Sequence, residues 1–329
     1  MRPASPPTRL PRVRIVSPAA AGANNGNAHT AARWERFLAP VASCDVALGW
    51  DGEPVDALIA LHARRSAASI ARFRVACPTK PIALVLTGTD LYRDLVNDAQ
   101  ARHSLECASA VVVLHEGGAS GLAPEVRAKT RVIVQSASAV AAPKGPAPNT
   151  GFVAVGHLRE EKDPLTLMRA ACLAGPGIAV THIGAALDAA LGQEAQRTMR
   201  ECPGYRWLGA LAHGATRRRI AAALALVHPS RMEGGANVVI EAVRSGVPVL
   251  ASRIAGNVGL LGADYDGCFE PGDAAALAAL MLRFIAEPAF AAHLAAQCAL
   301  REPRFRPAVE RAAVRALVAE LLAMRPDAG

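Results

Sequence analysis

Aromatic residues make up only 4% of this 329-residue sequence, so Ala, Leu and Val, within a hydrophobic content of 52%, must fill its cores. No run of 18 apolar residues occurs, which argues against a transmembrane helix. Residues 1–14 are basic and Pro-rich, and Pro18 breaks the stretch that follows too early for a signal-peptide core, so secretion is not expected. The seven cysteines (Cys44, Cys77, Cys107, Cys172, Cys202, Cys268, Cys298) contain no C-x-x-C pair. That spacing argues against a disulfide framework and a zinc site, and fits a reducing cytoplasm. Missing too are a Gly-x-Gly-x-x-Gly after the first strand, a Walker loop and a Gly-x-Ser-x-Gly elbow, which demotes dehydrogenase, NTPase and hydrolase readings. No His, Asp and Glu cluster has metal-ligand spacing, so neither metal nor cofactor is expected. The net charge of +8 is dispersed rather than interleaved with aromatics, and much of it sits in a tail (Arg2, Arg9, Arg12, Arg14). A nucleic-acid groove is therefore not expected, which leaves an anionic membrane or a phosphorylated substrate as readings of the excess.

What is present is a long alternation of apolar and amphipathic runs, the pattern of α/β layering with parallel sheets. Strands are predicted near 13–17, 45–48, 56–61, 82–86, 110–114 and 131–134, with helices near 27–39, 66–75, 92–107 and 117–123. A second series has strands near 152–155, 178–183, 205–208, 224–228 (reaching back to 222) and 247–251, with helices near 163–174, 216–223, 237–245 and 273–286. Between them, 142–150 reads as a linker, Ala-Pro-Lys-Gly-Pro-Ala-Pro-Asn-Thr. The expected division is a first Rossmann-like domain over 12–141, the linker, and a second over 151–302. Residues 307–324 have helical periodicity with Pro at the first turn and a mixed-charge polar face, which favours a packed helix over a membrane-surface one. Predicted first-half strands end in Ser17, Gly49, His62, Thr87, His115 and Gln135, polar or glycine positions where open parallel sheets bind ligands.

The richest motif is His228-Pro229-Ser230-Arg231-Met232-Glu233-Gly234-Gly235-Ala236-Asn237-Val238-Val239-Ile240-Glu241, with two carboxylates eight positions apart around a turn that opens a helix. A strand, a glycine turn and a helix N-terminus make an anion site, because free backbone N–H groups and the helix dipole point the same way. Glu233 and Glu241 cannot serve that anion; they suit hydroxyls on either side of it, and a phosphate flanked by two polyols is a nucleotide-sugar. Val153-Ala154-Val155-Gly156-His157-Leu158-Arg159-Glu160-Glu161-Lys162-Asp163-Pro164 puts Arg159 and Lys162 on a loop where cations would neutralise a departing diphosphate. In the first half, Asn25-Gly26-Asn27 would present backbone N–H groups to a phosphate, with Asn27 capping the next helix. His62-Ala63-Arg64-Arg65-Ser66, with Ser66 as helix cap, and Thr87-Gly88-Thr89-Asp90 follow two further strands.

Two α/β halves joined by a Pro-rich linker resemble the GT-B fold of nucleotide-sugar glycosyltransferases, and Glu233/Glu241 with Arg159/Lys162 are similar to that family's donor site. The resemblance implies that the first glutamate contacts the sugar and the second the ribose, and that 307–324 crosses back onto the first domain. A narrower likeness runs nearly end to end. Ala60-Leu61-His62-Ala63-Arg64-Arg65-Ser66-Ala67, Leu86-Thr87-Gly88-Thr89-Asp90-Leu91-Tyr92-Arg93, Gly156-His157-Leu158-Arg159-Glu160-Glu161-Lys162-Asp163-Pro164 and Ser230-Arg231-Met232-Glu233-Gly234-Gly235-Ala236-Asn237 look like the selenosugar synthases of selenoneine biosynthesis. That implies transfer of a hexose or N-acetylhexosamine from a UDP-sugar to selenophosphate, and a functional link to selenophosphate-producing and selenoneine-forming enzymes. Two departures from general GT-B patterns stand out: His157 where many relatives carry Arg, and no glutamate within Ala255-Gly256-Asn257-Val258-Gly259.

The expected site therefore lies in a cleft between the halves. Glu233, Lys162, Arg159 and His62 are its expected catalytic residues. Donor binding falls to Gly156, His157, Arg159, Lys162, Arg231, Glu233, Gly234, Gly235, Ala236, Asn237 and Glu241, and acceptor binding to Asn25, Gly26, Asn27, His62, Arg64, Thr87, Gly88, Thr89 and Asp90. A selenium nucleophile is already anionic, so cations matter more than a general base, and no metal is required. The alternatives are a conventional GT-B transferase acting on a hydroxyl and a non-catalytic nucleotide-sugar sensor.

Overall fold

The computed structural model describes residues 9–19, 25–142 and 151–324, so expectations for the N-terminal tail before residue 9 and for linker positions 143–150 fall outside the described residues. Along the chain the elements are β1 (Arg12–Val16), α1 (Gly26–Leu38), β2 (Ser43–Ala47), β3 (Ala57–Leu61), α2 (Ala67–Ala76), β4 (Ile82–Val85), α3 (Leu95–Asn97), α4 (Ala99–Cys107), β5 (Ala110–Val113), α5 (Pro124–Ala128) and β6 (Thr130–Val132). They continue with β7 (Phe152–Val155), α6 (Pro164–Ala174), β8 (Val180–Ile183), α7 (Ala189–Glu201), β9 (Tyr205–Trp207), α8 (His213–Ala221), β10 (Leu226–His228), α9 (Asn237–Arg244), β11 (Val249–Ser252), α10 (Ala255–Leu261), β12 (Cys268–Phe269), α11 (Ala274–Ala286), α12 (Pro288–Arg301) and α13 (Pro307–Ala323).

The chain divides into two compact units, the first comprising Met1–Leu114, Ala119–Ile133 and Ala308–Gly329, the second His115–Gly118 and Val134–Pro307. The first unit holds a parallel sheet in the order β2-β1-β3-β4-β5-β6. Its period-2 sequence sorts the side chains: Val13, Ile15, Ile59 and Leu61 join one apolar layer with Trp34 and Leu38, while Leu58, Ala60, Ile82 and Leu84 join the other with Ile70 and Phe73. α13 completes the first layer with Val314, Leu317, Val318 and Leu321. It is locked by Glu310, which is fully buried and accepts hydrogen bonds from Arg33 Nε at 2.7 Å and Trp34 Nε1 at 2.7 Å. The second unit has a parallel sheet in the order β12-β11-β10-β7-β8-β9 around one apolar core.

Several local expectations need correction. The single helix expected over 92–107 is broken into a π-helical turn at Asp90–Asp94, then α3 and α4, because Asp98 is extended (φ −127°, ψ 120°) and caps α4 by accepting from Ala101 N at 3.0 Å. The helix expected over 117–123 is a 3₁₀ turn at Glu116–Ala119 followed by α5, which begins at Pro124 as Pro at a first turn allows. The strand expected from 222 begins only at Leu226, since Ala222 N still closes α8 on Arg218 O. Asn25, not Asn27, caps α1, accepting from Ala28 N at 3.1 Å. Ser66 caps nothing; its hydroxyl donates to Leu61 O at 2.6 Å. α7, α10, α12 and β12 lie outside every predicted element. No single described helix is long and apolar enough to cross a membrane.

Candidate active site

In each sheet one strand has earlier and later elements running away to opposite sides, and such switch points are where open α/β sheets open a crevice beyond their carboxyl edges. In the second sheet the switch lies between β7 and its neighbours β10 and β8. The loops leaving β7 and β10 there are Gly156 to Asp163 and Pro229 to Ala236, the two motifs of the sequence. Asp163 ends the first loop in left-handed backbone (φ 45°, ψ 54°) and caps α6, accepting from Thr166 N at 3.4 Å and also from Thr166 Oγ1 at 2.8 Å, with Pro164 at the first turn. Arg231 braces the loops together: its N–H donates to Glu161 O at 2.9 Å and its Nε lies 2.9 Å from Asp163 Oδ2. Expected to contact the donor, Arg231 instead spends its guanidinium on the scaffold.

Lys162 turns inward and pairs with Glu233 Oε1. Its aliphatic stem lies over Gly156, 3.5 Å from where a Cβ on that residue would stand, an ordinary packing distance. His228 Nε2 approaches the same Glu233 oxygen at 3.2 Å, and no described residue bonds to Oε2, which stays available to a hydroxyl. Burial by itself would raise the Glu233 carboxyl pKa; the Lys162 ammonium and the His228 contact outweigh it and hold the group well below the usual carboxylate range. Beneath this pair runs a buried polar chain absent from the sequence expectations. His228 Nδ1 meets Asn257 Oδ1 at 3.0 Å, and Asn257 Nδ2 donates to Ser252 O at 2.9 Å, so the amide is oriented with its oxygen toward the imidazole. Asn257 thus fills, from α10, the segment that lacks the glutamate of general GT-B patterns. His157, the other departure, accepts from Ala185 N at 3.0 Å through Nδ1 and serves the loop rather than presenting a cation.

Glu241 lies on α9 with Oε1 2.7 Å from His213 Nε2 and 3.9 Å from Arg217 Nε. Two guanidinium N–H groups in this region are buried without a hydrogen-bond partner: Arg159 Nε, 3.8 Å from Glu161, and Arg217 Nε. An unsatisfied buried donor is costly, so each is a place where an incoming acceptor atom would be rewarded. The N-cap position of α9, Ala236, offers no side-chain cap; Val239 N turns back to Ala236 O at 3.0 Å, and the N–H groups of Asn237 and Val238, after Gly234 and Gly235, are left open to an anion. His213, Arg217, His228 and Asn257 escaped sequence reasoning; Arg217-Arg218-Arg219 reads as an ordinary solvated face.

Glu233 is also fixed from below. A Cβ on Gly256 would stand 2.3 Å from the Glu233 carbonyl oxygen, so Gly256→Ala must push that backbone away. We expect this uncharged change to cost about 1–3 kcal/mol in stability and, by displacing the carboxylate, on the order of 10² in turnover. Thermal unfolding and steady-state rates check it; wild-type turnover would show that Glu233's position is not critical.

In the first sheet the switch strand is β1, flanked by β2 and β3. Asn25 and Gly26 are exposed after it, and Asn27 is already inside α1. His62, after β3, is buried and holds left-handed backbone (φ 74°), unusual for a residue with a Cβ. Its Nε2 lies 3.0 Å from Thr89 Oγ1. Asp90, expected to bind acceptor, is fully buried and cannot touch it: Oδ1 accepts from Thr87 N and Gly88 N at 2.8 Å, Oδ2 from Ala63 N at 2.9 Å. It stitches the loops after β3 and β4 together. Arg64 is exposed and paired with Asp98 at 2.7 Å, so an acceptor would have to compete for it. Among the described residues no group of three or more His, Cys, Asp or Glu is placed to hold a metal.

Residues 149–287 match the family model described as Glycosyl transferases group 1. No curated protein matches the sequence. Solved structures do match in fold. HepE of Anabaena in complex with UDP-glucose superposes with a TM-score of 0.76 at 16% identity, covering 94% of this chain and 100% of that one. Sucrose-phosphate synthase of Thermosynechococcus elongatus gives 0.75 at 19% identity, covering 96% and 100%. The pneumococcal O-GlcNAc transferase GtfA, in complex with UDP and GlcNAc, gives 0.65 at 16% identity, covering 82% and 57%. The chain has the GT-B fold, and residues 149–287 of its second unit are similar to group 1 glycosyl transferases.

Proposed function

We propose that the chain transfers a hexose or N-acetylhexosamine from a UDP-sugar to selenophosphate. The observation that carries the donor half is the Lys162–Glu233 pair beside the uncapped start of α9, at the switch point of the second sheet. A diphosphate would take the N–H groups of Asn237 and Val238 at the start of α9, Arg159 Nε and the Lys162 ammonium. Glu233 Oε2 would accept from the sugar, and Glu241 from the ribose. The anomeric C–O bond breaks with its electron pair leaving on UDP, and a selenium lone pair forms the C–Se bond. These cations and dipoles suffice for the leaving group, so the reading needs no metal. The acceptor half rests on the four sequence segments that resemble selenosugar synthases, two of which form the His62 and Thr89 loops of the first unit. The free thiols of all seven cysteines agree with the cytoplasm as the place of action.

The test is incubation with UDP-N-acetylglucosamine or UDP-glucose and selenophosphate, with and without EDTA, followed by mass spectrometry. A selenium-containing sugar and free UDP, undiminished by EDTA, are expected. Transfer only to a hydroxyl acceptor would replace the selenium reading with a conventional glycosyltransferase. Donor binding without turnover would make the protein a sensor.

A further inference from the structure

We infer that Thr89 is the residue that selects the anionic acceptor, its hydroxyl hydrogen reserved for the ligand by His62. This rests on the acceptor binding to the first unit. Arg65 N donates to His62 Nδ1 at 3.3 Å, so that nitrogen is an acceptor and carries no proton. The remaining ring proton is on Nε2, which faces Thr89 Oγ1 at 3.0 Å and donates to it. Thr89 therefore receives a hydrogen bond from the imidazole and must send its own hydrogen elsewhere, and no described residue accepts it. The charged groups around the ring are Asp90, 3.9 Å from Nδ1, Asp94, 3.8 Å from Nε2, and Arg65 and Arg93, so neither acid bonds to the ring directly. Burial keeps the imidazole below its ordinary pKa, in the neutral form this arrangement needs.

The backbone is built around the same point. His62 sits in left-handed φ, and Thr89 immediately precedes the π-helical turn Asp90–Asp94, two costly conformations that meet at one hydroxyl. Asp90 holds the Thr87, Gly88 and Ala63 amides and so fixes both loops without reaching solvent. The outcome is a half-buried, pre-aimed O–H donor beyond the carboxyl edge of β4, suited to an oxyanion or selenide and not to a neutral hydroxyl that needs a base. His62 is then a positioning residue, since its acceptor nitrogen is already occupied and cannot take a substrate proton.

Thr89→Val keeps the shape and removes the donor. It is expected to raise the KM for selenophosphate roughly 10- to 100-fold while the KM for the UDP-sugar stays at its wild-type value, and Thr89→Ser should restore most of the loss. His62→Asn, which tolerates left-handed backbone, should raise the acceptor KM less and leave the pH–rate profile unshifted. An unchanged acceptor KM in Thr89→Val overturns the inference. Two measurements stand even if wild-type protein proves inactive on selenophosphate, which would sink the proposed function alone. ¹⁵N–¹H correlation spectra should show His62 as the neutral Nε2–H tautomer at pH 7, and an Nδ1–H or imidazolium form overturns the assignment. Inorganic phosphate titrated by NMR should bind wild-type protein and bind Thr89→Val at least tenfold more weakly; equal binding, or none to either, overturns it.

Discussion

Replacing Lys162 with methionine is expected to slow sugar transfer by roughly 10²–10³-fold, because it removes the cation proposed to meet charge developing on the departing diphosphate. Methionine keeps the apolar stem that lies over Gly156, so the loss reports the ammonium and not the packing. The variant also strands Glu233. In wild-type protein the folded pKa of Glu233 is depressed, so its contribution to stability is fully present above the unfolded carboxylate range and is lost only as pH falls toward the much lower folded value. Without Lys162, the burial penalty is opposed mainly by His228, and the folded pKa moves up. We expect a destabilisation of about 2 kcal/mol at pH 7, below the range for a fully stranded buried charge because His228 remains. That difference from wild type must shrink as pH falls through the variant's higher pKa, where Glu233 takes up a proton. Urea unfolding at pH 7 and pH 4.5, with UDP release as the activity readout, checks both halves. A pH-independent difference would mean that Lys162 does not control the Glu233 charge.

Glu241→Ala should reduce kcat/KM for the UDP-sugar on the order of 10²-fold, through loss of the proposed ribose contact and release of the His213 and Arg217 side chains beside it. The carboxylate is buried and its Oε1 already serves His213, with Arg217 3.9 Å away, so Oε2 is the atom expected to face ligand. Glu241→Gln, which retains one acceptor oxygen, should lie between wild type and alanine. His213→Ala should cost only a few-fold, since it removes a support and leaves the contact. Kinetics with varied donor at saturating acceptor separate these outcomes, and wild-type kcat and KM in Glu241→Ala would remove this residue from the donor site.

Much of this was legible from residues alone because period and punctuation agreed. The Val13, Ile15, Ile59 and Leu61 runs read directly as buried parallel strands, and Asp163-Pro164 announced α6 by the chemistry of its cap. The turn around Glu233 was readable for the same reason. What escaped was whatever tertiary pairing decides. Asp90 reads as an exposed acid at a strand end, yet three backbone amides draw it fully inside and bend the following turn into π geometry. Asn257 carries no local mark of its role; only the fold brings it to His228, 29 positions earlier. Arg217 is hidden in a run of three arginines, and nothing in spacing says which one points at Glu241. α7 and α12 were missed although Asp188 caps the first and Pro288 opens the second, since a lone Asp or Pro marks a turn as readily as a helix start.

The Glu310 clamp has an implication for biogenesis. The layer containing Trp34 stays open on one side until Val314 to Leu321 arrive, and these leave the ribosome after every residue of the second unit. Domains commonly mature in the order they are synthesised. Here the order is reversed: the later-encoded half can close on its own residues, while the earlier one waits, with an apolar surface for chaperones to shield, until α13 has been made.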